Sequence, residues 1–189
     1  KYADWAVARY LDQAKEQGVL DHTVVLVVGD HGARVYGRQE IPVGSYRIPA
    51  LFLTPDARWR GKTIDRLCSQ IDLAPTLLSL ARVDCRAPFL GRDLLTLADG
   101  LDGPGRAFVH HNNDIGILTD DALVVLQLNK RTTIYRRAGR ASDELVALPE
   151  AQWTPELREL EKDAAAVFQT AFELYQHGRF ALPSAANRR

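Results

Sequence analysis

The chain has 189 residues, 46% hydrophobic and 25% charged, an ordinary globular composition sufficient for one core or somewhat more. Its 24 basic and 24 acidic side chains cancel to a formal net charge of zero, which gives no support to nucleic-acid or polyanion binding. No run approaches the ~18 apolar residues a membrane-spanning helix requires, and no signal-peptide pattern stands at the start.

In chain order, Tyr2, Ala6, Tyr10, Leu11 and Ala14 recur at helical spacing, and Gly18 is a natural left-handed stop. Thr23 to Val28 has the length and composition of a strand buried on both faces. Gly29-Asp30-His31-Gly32 follows at once. A carboxylate and an imidazole are both metal ligands by type, and they sit past the carboxyl end of a strand, where α/β sheets place their chemistry. The same dipeptide between glycines also suits an ordinary turn with His31 on the surface. Residues 48–55 read as a second buried strand with Pro49 at its first pairing position. Asp72 then caps a helix running Leu73 to Ala81, with Pro75 in its first turn. Alternating helices and apolar strands predict an α/β fold with a mostly parallel sheet flanked by helices.

Cys68 and Cys85 flank that helix, whose length of roughly 15 Å at ~1.5 Å per residue exceeds the ~7 Å limit for a disulfide. They are read as two buried free thiols. Residues Leu94 to Gly105, rich in Gly and Asp, make a boundary. Beyond it, strands are predicted over 107–111, 116–119, 122–128 and 132–136. Turns at Thr119 to Asp121 and Asn129-Lys130 make them an antiparallel meander. Thr154-Pro155 opens a long helix with an apolar stripe of Leu157, Leu160, Ala164, Val167, Phe168, Ala171 and Leu174. The tail after Phe180 is expected to be disordered or stitched at its end.

His110, His111 and Asp114 form the other group of ligand-type side chains. Neighbours on a strand point to opposite faces, so the two histidines cannot chelate one ion. His22 and His177 fall at element edges, and Asp72 is read as a cap in preference to a ligand. Arg131, Arg136, Arg137 and Arg140 read as a solvated basic face, with a phosphate or lipid-headgroup role as the alternative.

Taken together, the Tyr2-x-Asp4 helix, the apolar strand into Gly29-Asp30-His31-Gly32, the Ile48-Pro49 strand and Ser69 to Leu78 resemble the sulfatase-type branch of the alkaline phosphatase superfamily. The likeness is strongest to its lipoteichoic acid synthase and phosphoglycerol transferase group. Residues 166–171, Leu174-Tyr175 and Gly178-Arg179-Phe180 are similar to the terminal helix of bacterial members. The resemblance implies an alkaline phosphatase-like α/β fold, present in part, followed by a small antiparallel sheet and a long C-terminal helix. Residues 1–100 would be the C-terminal part of the catalytic domain, and 104–189 the small antiparallel subdomain with its terminal helix. Asp30 and His31 would hold a divalent metal ion. A histidine ligand favours manganese or zinc over calcium; manganese is the expectation, with zinc, magnesium and calcium as alternatives.

The resemblance also implies a Thr, Ser or formylglycine nucleophile, expected upstream of Lys1. Neither Cys68 nor Cys85 lies in the Cys-x-Pro-x-Arg pattern that formylglycine formation recognises. The chain, which begins at Lys1 and has no Met, is therefore expected to be a C-terminal fragment, inactive alone. Arg34 and Arg47, with Tyr36, could reach a phosphate or sulfate held on the metal, since arginine's fork binds two oxygens of such an anion. The expected substrates are phosphate or sulfate esters, among them a lipid headgroup or cell-envelope glycan, with no nucleic-acid partner. Phosphoglycerol transfer or phosphodiester cleavage comes first. Sulfate-ester hydrolysis, a cytosolic phosphomutase-like enzyme and a degenerate domain that binds a headgroup or a partner protein stay open. Membrane anchoring through N-terminal helices and a place in the periplasm or on the outer face of the cytoplasmic membrane complete the expectation.

Overall fold

The computed structural model describes residues 1–33, 41–85, 87–98, 104–139 and 142–180. The first helix, α1 (Tyr2–Glu16), ends where Gly18 takes a left-handed φ of 70°. Of its predicted apolar stripe only Ala14 is buried, while Tyr2 and Tyr10 are exposed, as is Trp5 outside the stripe. Its hydrophobic face is thus largely uncovered among the described residues.

β1 (Val25–Val28) and β2 (Ala50–Leu53) form a two-stranded sheet. They run antiparallel, Val25 opposite Leu53 and Val28 opposite Ala50, a direction the sequence reading did not assign to this pair. A parallel neighbour needs a crossover, usually helical. Between these strands the described chain holds only a 3-10 turn, Val43–Tyr46. Nor is the pair buried on both faces: Val28 and Leu51 are exposed.

Downstream, Gln70–Asp72 forms a 3-10 turn that leads into α2 (Leu73–Leu80). The cap lies earlier than predicted. Ser69 and Asp72 make a reciprocal capping box, Ser69 N donating to Asp72 Oδ2 at 2.7 Å. The other Asp72 oxygen accepts from Arg92 N at 2.8 Å. Thr76 Oγ1 donates to Asp72 O at 2.6 Å and accepts from Leu94 N, the first residue of the short α3 (Leu94–Ala98). Asp72 is 1% exposed and Thr76 is fully buried, so one polar knot ties α2 to the chain that returns across it. Both cysteines are free; Cys68 is half-buried and Cys85 exposed, because residue 85 lies in the loop after α2 and not in a core.

The meander is five strands in sequence order: β3 (Ala107–His111), β4 (Asp114–Leu118), β5 (Ala122–Gln127), β6 (Arg131–Arg137) and β7 (Leu145–Ala147). All ladders are antiparallel. Asn129 and Lys130 both take φ of 59°, the left-handed turn that matches strand twist in tight hairpins. β7 escaped prediction, being three residues long and mostly exposed.

Strand alternation divides the side chains of the sheet between two cores. On one face Ile117, Val124 and Ile134 pack with Ala164 of α4 (Pro155–Gln176). Thr154 caps that helix by accepting from Leu157 N, and every residue of its predicted stripe is buried or half-buried. On the other face Val109, Leu118, Leu123, Val125 and Tyr135 pack with Ile41 and Val43, from the segment between β1 and β2. A Cβ on Gly116 would meet Val124 O at 2.7 Å and Ile41 Cδ1 at 3.2 Å, so the glycine makes room for the ladder and the docked isoleucine. Residues on both sides of the 100–104 boundary therefore share one core. The predicted tail after Phe180 lies outside the described residues.

Replacing Asp72 with Ala would orphan two backbone N–H groups, those of Ser69 and Arg92. The expected loss is about 3 kcal/mol, lowering Tm by roughly 6–12 °C for a chain of this size. Glu159→Ala, which removes only an exposed ion pair with Lys162, is expected to stay within about 0.5 kcal/mol. Thermal melts of the two variants check both figures.

Candidate metal centre and the cleft it faces

Asp30 and His31 leave the end of β1 under constraint. Gly29 N donates to Pro49 O at 3.0 Å, extending the contact with the β2 segment past the last strand residue. His31 N donates to Asp30 Oδ1 at 2.9 Å, and His31 Nδ1 lies 3.0 Å from Gly32 O. A carbonyl only accepts, so Nδ1 donates, and in the neutral tautomer this leaves Nε2 as the ring's acceptor. Nε2 stands 3.7 Å from Asp30 Oδ1, with the two side chains 83% and 89% exposed. Donors that each sit ~2.0–2.2 Å from one ion can stand up to about 4.2 Å apart, so this pair fits a shared divalent cation. Among the described residues no group of three or more His, Cys, Asp or Glu converges on one point.

The loop is held from behind. A Cβ on Gly32 would collide with Ser45 O and lie 2.8 Å from Arg47 O, so the chain at 45–47 lies directly against the Asp30-His31 loop. That segment is fixed in turn to the meander. Ile41 and Val43 are buried in its core, and the Tyr46 hydroxyl donates to His110 O. Arg47 Nη2 meets Asp143 Oδ1 at 2.6 Å.

These contacts shape a cleft of about 1350 Å³, whose lining includes Asp30, His31, Tyr46, Arg47, Cys68 and His111. Burial pushes the Tyr46 phenol up, so it stays a neutral O–H donor. Burial and the nearby Asp72 carboxylate push the Cys68 thiol up, against a smaller opposing effect of Arg92. A thiol kept protonated is a poor nucleophile.

Of the predicted anion-binding side chains, Arg47 lines the cleft with part of its fork turned to Asp143. Arg34 and Tyr36 lie outside the described residues, as does Arg140. Arg131 and Arg136 are exposed as expected, whereas Arg137 is 4% exposed and donates to Ser142 O and Thr119 O. It stitches loops together and is no part of a solvated face. Asp72 spends its carboxylate on backbone amides. His111 half-buries on the cleft side of β3 while His110 is exposed, the alternation expected of a strand. His22 is exposed, and His177 pairs with Glu173 at the end of α4. Tyr46 escaped the sequence reading: nothing local links it to a strand 64 residues away.

The arrangement, an Asp-His pair at a strand end above a cleft followed by a meander and a long helix, is similar in fold to a solved member of the alkaline phosphatase superfamily. A crystal structure of a protein in that superfamily from Vibrio parahaemolyticus matches it with a TM-score of 0.79 and 31% identity, over 96% of this chain and 42% of that one. Residues 1–83 match the Sulfatase family. An arylsulfatase from Clostridium perfringens is 28% identical over 123 residues, which cover 61% of this chain and 26% of that protein. Lipoteichoic acid synthase 2 from Bacillus subtilis is 27% identical over 110 residues, covering 50% of this chain and 17% of that one. The chain thus spans about a quarter or less of these curated relatives.

Gly32→Ala is expected to cost about 1–3 kcal/mol by overpacking and to weaken divalent-metal binding, because backbone has no side-chain rotamer by which to yield; melting and metal titration test it. Under native conditions near neutral pH, iodoacetamide is expected to modify exposed Cys85 first. Modification of Cys68 should need higher pH or denaturant, as peptide mapping by mass spectrometry would show.

Proposed function

We propose that the chain is part of a metal-dependent enzyme of the sulfatase type that acts on phosphate or sulfate esters, with Asp30 and His31 as two of the metal ligands. The observation that carries this reading is the oriented pair itself: Nε2 of His31 and Oδ1 of Asp30 stand 3.7 Å apart, beside a cleft roomy enough for an ester. When bound, a divalent ion supplies Lewis-acid stabilisation of negative charge on the transferring group. Asp30 contributes charge to the site, and His31 a neutral nitrogen whose orientation Gly32 O fixes. Manganese is the ion proposed first, because a mixed nitrogen and oxygen donor pair suits it better than calcium. Arg47, which lines the cleft, is proposed to hold an oxyanion once its fork turns from Asp143; an exposed pair of this kind is worth only ~0–1 kcal/mol and yields readily. Arg34 is proposed as a second contact of the same kind.

The nucleophile is proposed to come from residues outside these 189, since Cys68 is held protonated and neither cysteine stands in the formylglycine pattern. Phosphoglycerol transfer or phosphodiester cleavage is the preferred chemistry, and the match to a lipoteichoic acid synthase supports it. The match to an arylsulfatase supports sulfate-ester hydrolysis as the alternative. A place outside the cytoplasmic membrane, next to a headgroup or glycan substrate, belongs to the same proposal. Among the described residues no helix is long and apolar enough to cross a membrane. The division at residues 100–104 is proposed to separate the catalytic α/β part from the meander.

Calorimetric titration with Mn²⁺ is expected to show binding that Asp30→Ala and His31→Ala each weaken at least about tenfold. The chain alone is expected not to turn over aryl phosphates or aryl sulfates. Steady turnover abolished by Asp30→Ala would overturn the external nucleophile. In a longer polypeptide carrying that nucleophile, Asp30→Ala should lower kcat/KM at least about a hundredfold. An unchanged rate there would leave the pair as a binding site without a catalytic role.

A further inference from the structure

The meander contributes a polar side chain to the cleft that the metal pair does not explain. His111 is the last residue of β3 and lies opposite Asp114 in the hairpin. With Ala107 and Val109 it occupies the face that packs toward the 41–46 segment, so its imidazole enters the cleft wall. His110, one residue earlier, is exposed. Tyr46 fixes the ring. Its single hydroxyl proton goes to His110 O, and its oxygen lies 3.4 Å from His111 Nδ1. Toward His111 the phenol is therefore an acceptor, which assigns the ring proton to Nδ1 and leaves Nε2 an open lone pair. In that tautomer the cleft-facing nitrogen is an acceptor, which suits a hydroxyl group better than the oxygens of a phosphate or sulfate.

We propose that His111, held by Tyr46, accepts a hydrogen bond from a hydroxyl on the alcohol part of the ester, making it a specificity-determining residue for polyol esters. The inference rests on the ester-handling reading of the cleft and adds a division of labour. The metal pair holds the anion, and the meander reads the alcohol. A site built around such a hydroxyl discriminates against the analogue lacking it, because the polar partner is then left unmet.

The test is calorimetric titration of the chain, with Mg²⁺ present, by glycerol 1-phosphate and by propyl phosphate, which share three carbons but differ in hydroxyls. Wild type is expected to prefer glycerol 1-phosphate by roughly tenfold, the scale of one hydrogen bond. His111→Ala should erase that preference while leaving propyl phosphate affinity unchanged. His111→Gln, which keeps an acceptor oxygen, should retain part of it, and His110→Ala all of it. Tyr46→Phe should reduce it by freeing the ring. Equal binding of both ligands by wild type, or a preference that survives in a folded His111→Ala variant, would overturn the proposal; no binding of either ligand would do the same. Propyl phosphate binding indifferent to Asp30→Ala and to Mg²⁺ would count against the metal-held ester instead, while the ratio of the two ligands still decides His111.

Discussion

The close approach of the 45–47 backbone to Gly32 is the constraint on which the candidate site depends. Two stretches of main chain touch where any side chain would intervene, so the Asp30-His31 loop can be no better placed than the segment behind it. That segment owes its position to the meander through four side chains: Ile41, Val43, Tyr46 and Arg47. Magnitudes rank them. Fully burying an Ile or Val is worth about 1.5–3 kcal/mol, whereas an exposed pair such as Arg47 with Asp143 contributes ~0–1 kcal/mol. The two aliphatic anchors hold the segment, and the arginine is left comparatively free to change partners.

A second support lies beneath the cleft. Ser69 accepts from Phe108 N at 3.2 Å while it shares the capping box with Asp72, so the start of α2 is joined to β3. A buried carboxylate is tolerable there because each oxygen meets a backbone donor. The Asp30-His31 loop, helix start and first meander strand thereby converge on one cleft from three parts of the chain.

Much of this was legible in the residues. The meander and α4 were read nearly to their ends because alternation and helical periodicity are local signals, and Asn129-Lys130 marks a turn by its own backbone preference. Asp30 and His31 stood out by type and by their place after an apolar run. What sequence could not carry was partnership. The apolar run of β1 reads the same for parallel or antiparallel pairing, so the direction of β2 could not be read from it. The stripe of α1 is real, yet periodicity does not say what covers it. The bonds from Tyr46 to His110 and His111 depend on a fold that closes over 60 residues, and only coordinates reveal them.

The sequence-order pairing of the five meander strands has a kinetic consequence. Each ladder joins neighbours in the chain across a short connection, so little loop entropy opposes its formation. Docking of Ile41 and Val43 instead unites residues about seventy or more positions apart, and it has no surface to dock on until β3, β4 and β5 are paired. The orientation of Asp30 and His31 is therefore bound to a docking step that follows pairing of the meander, and a polypeptide still being synthesised would carry this pair well before it could aim it.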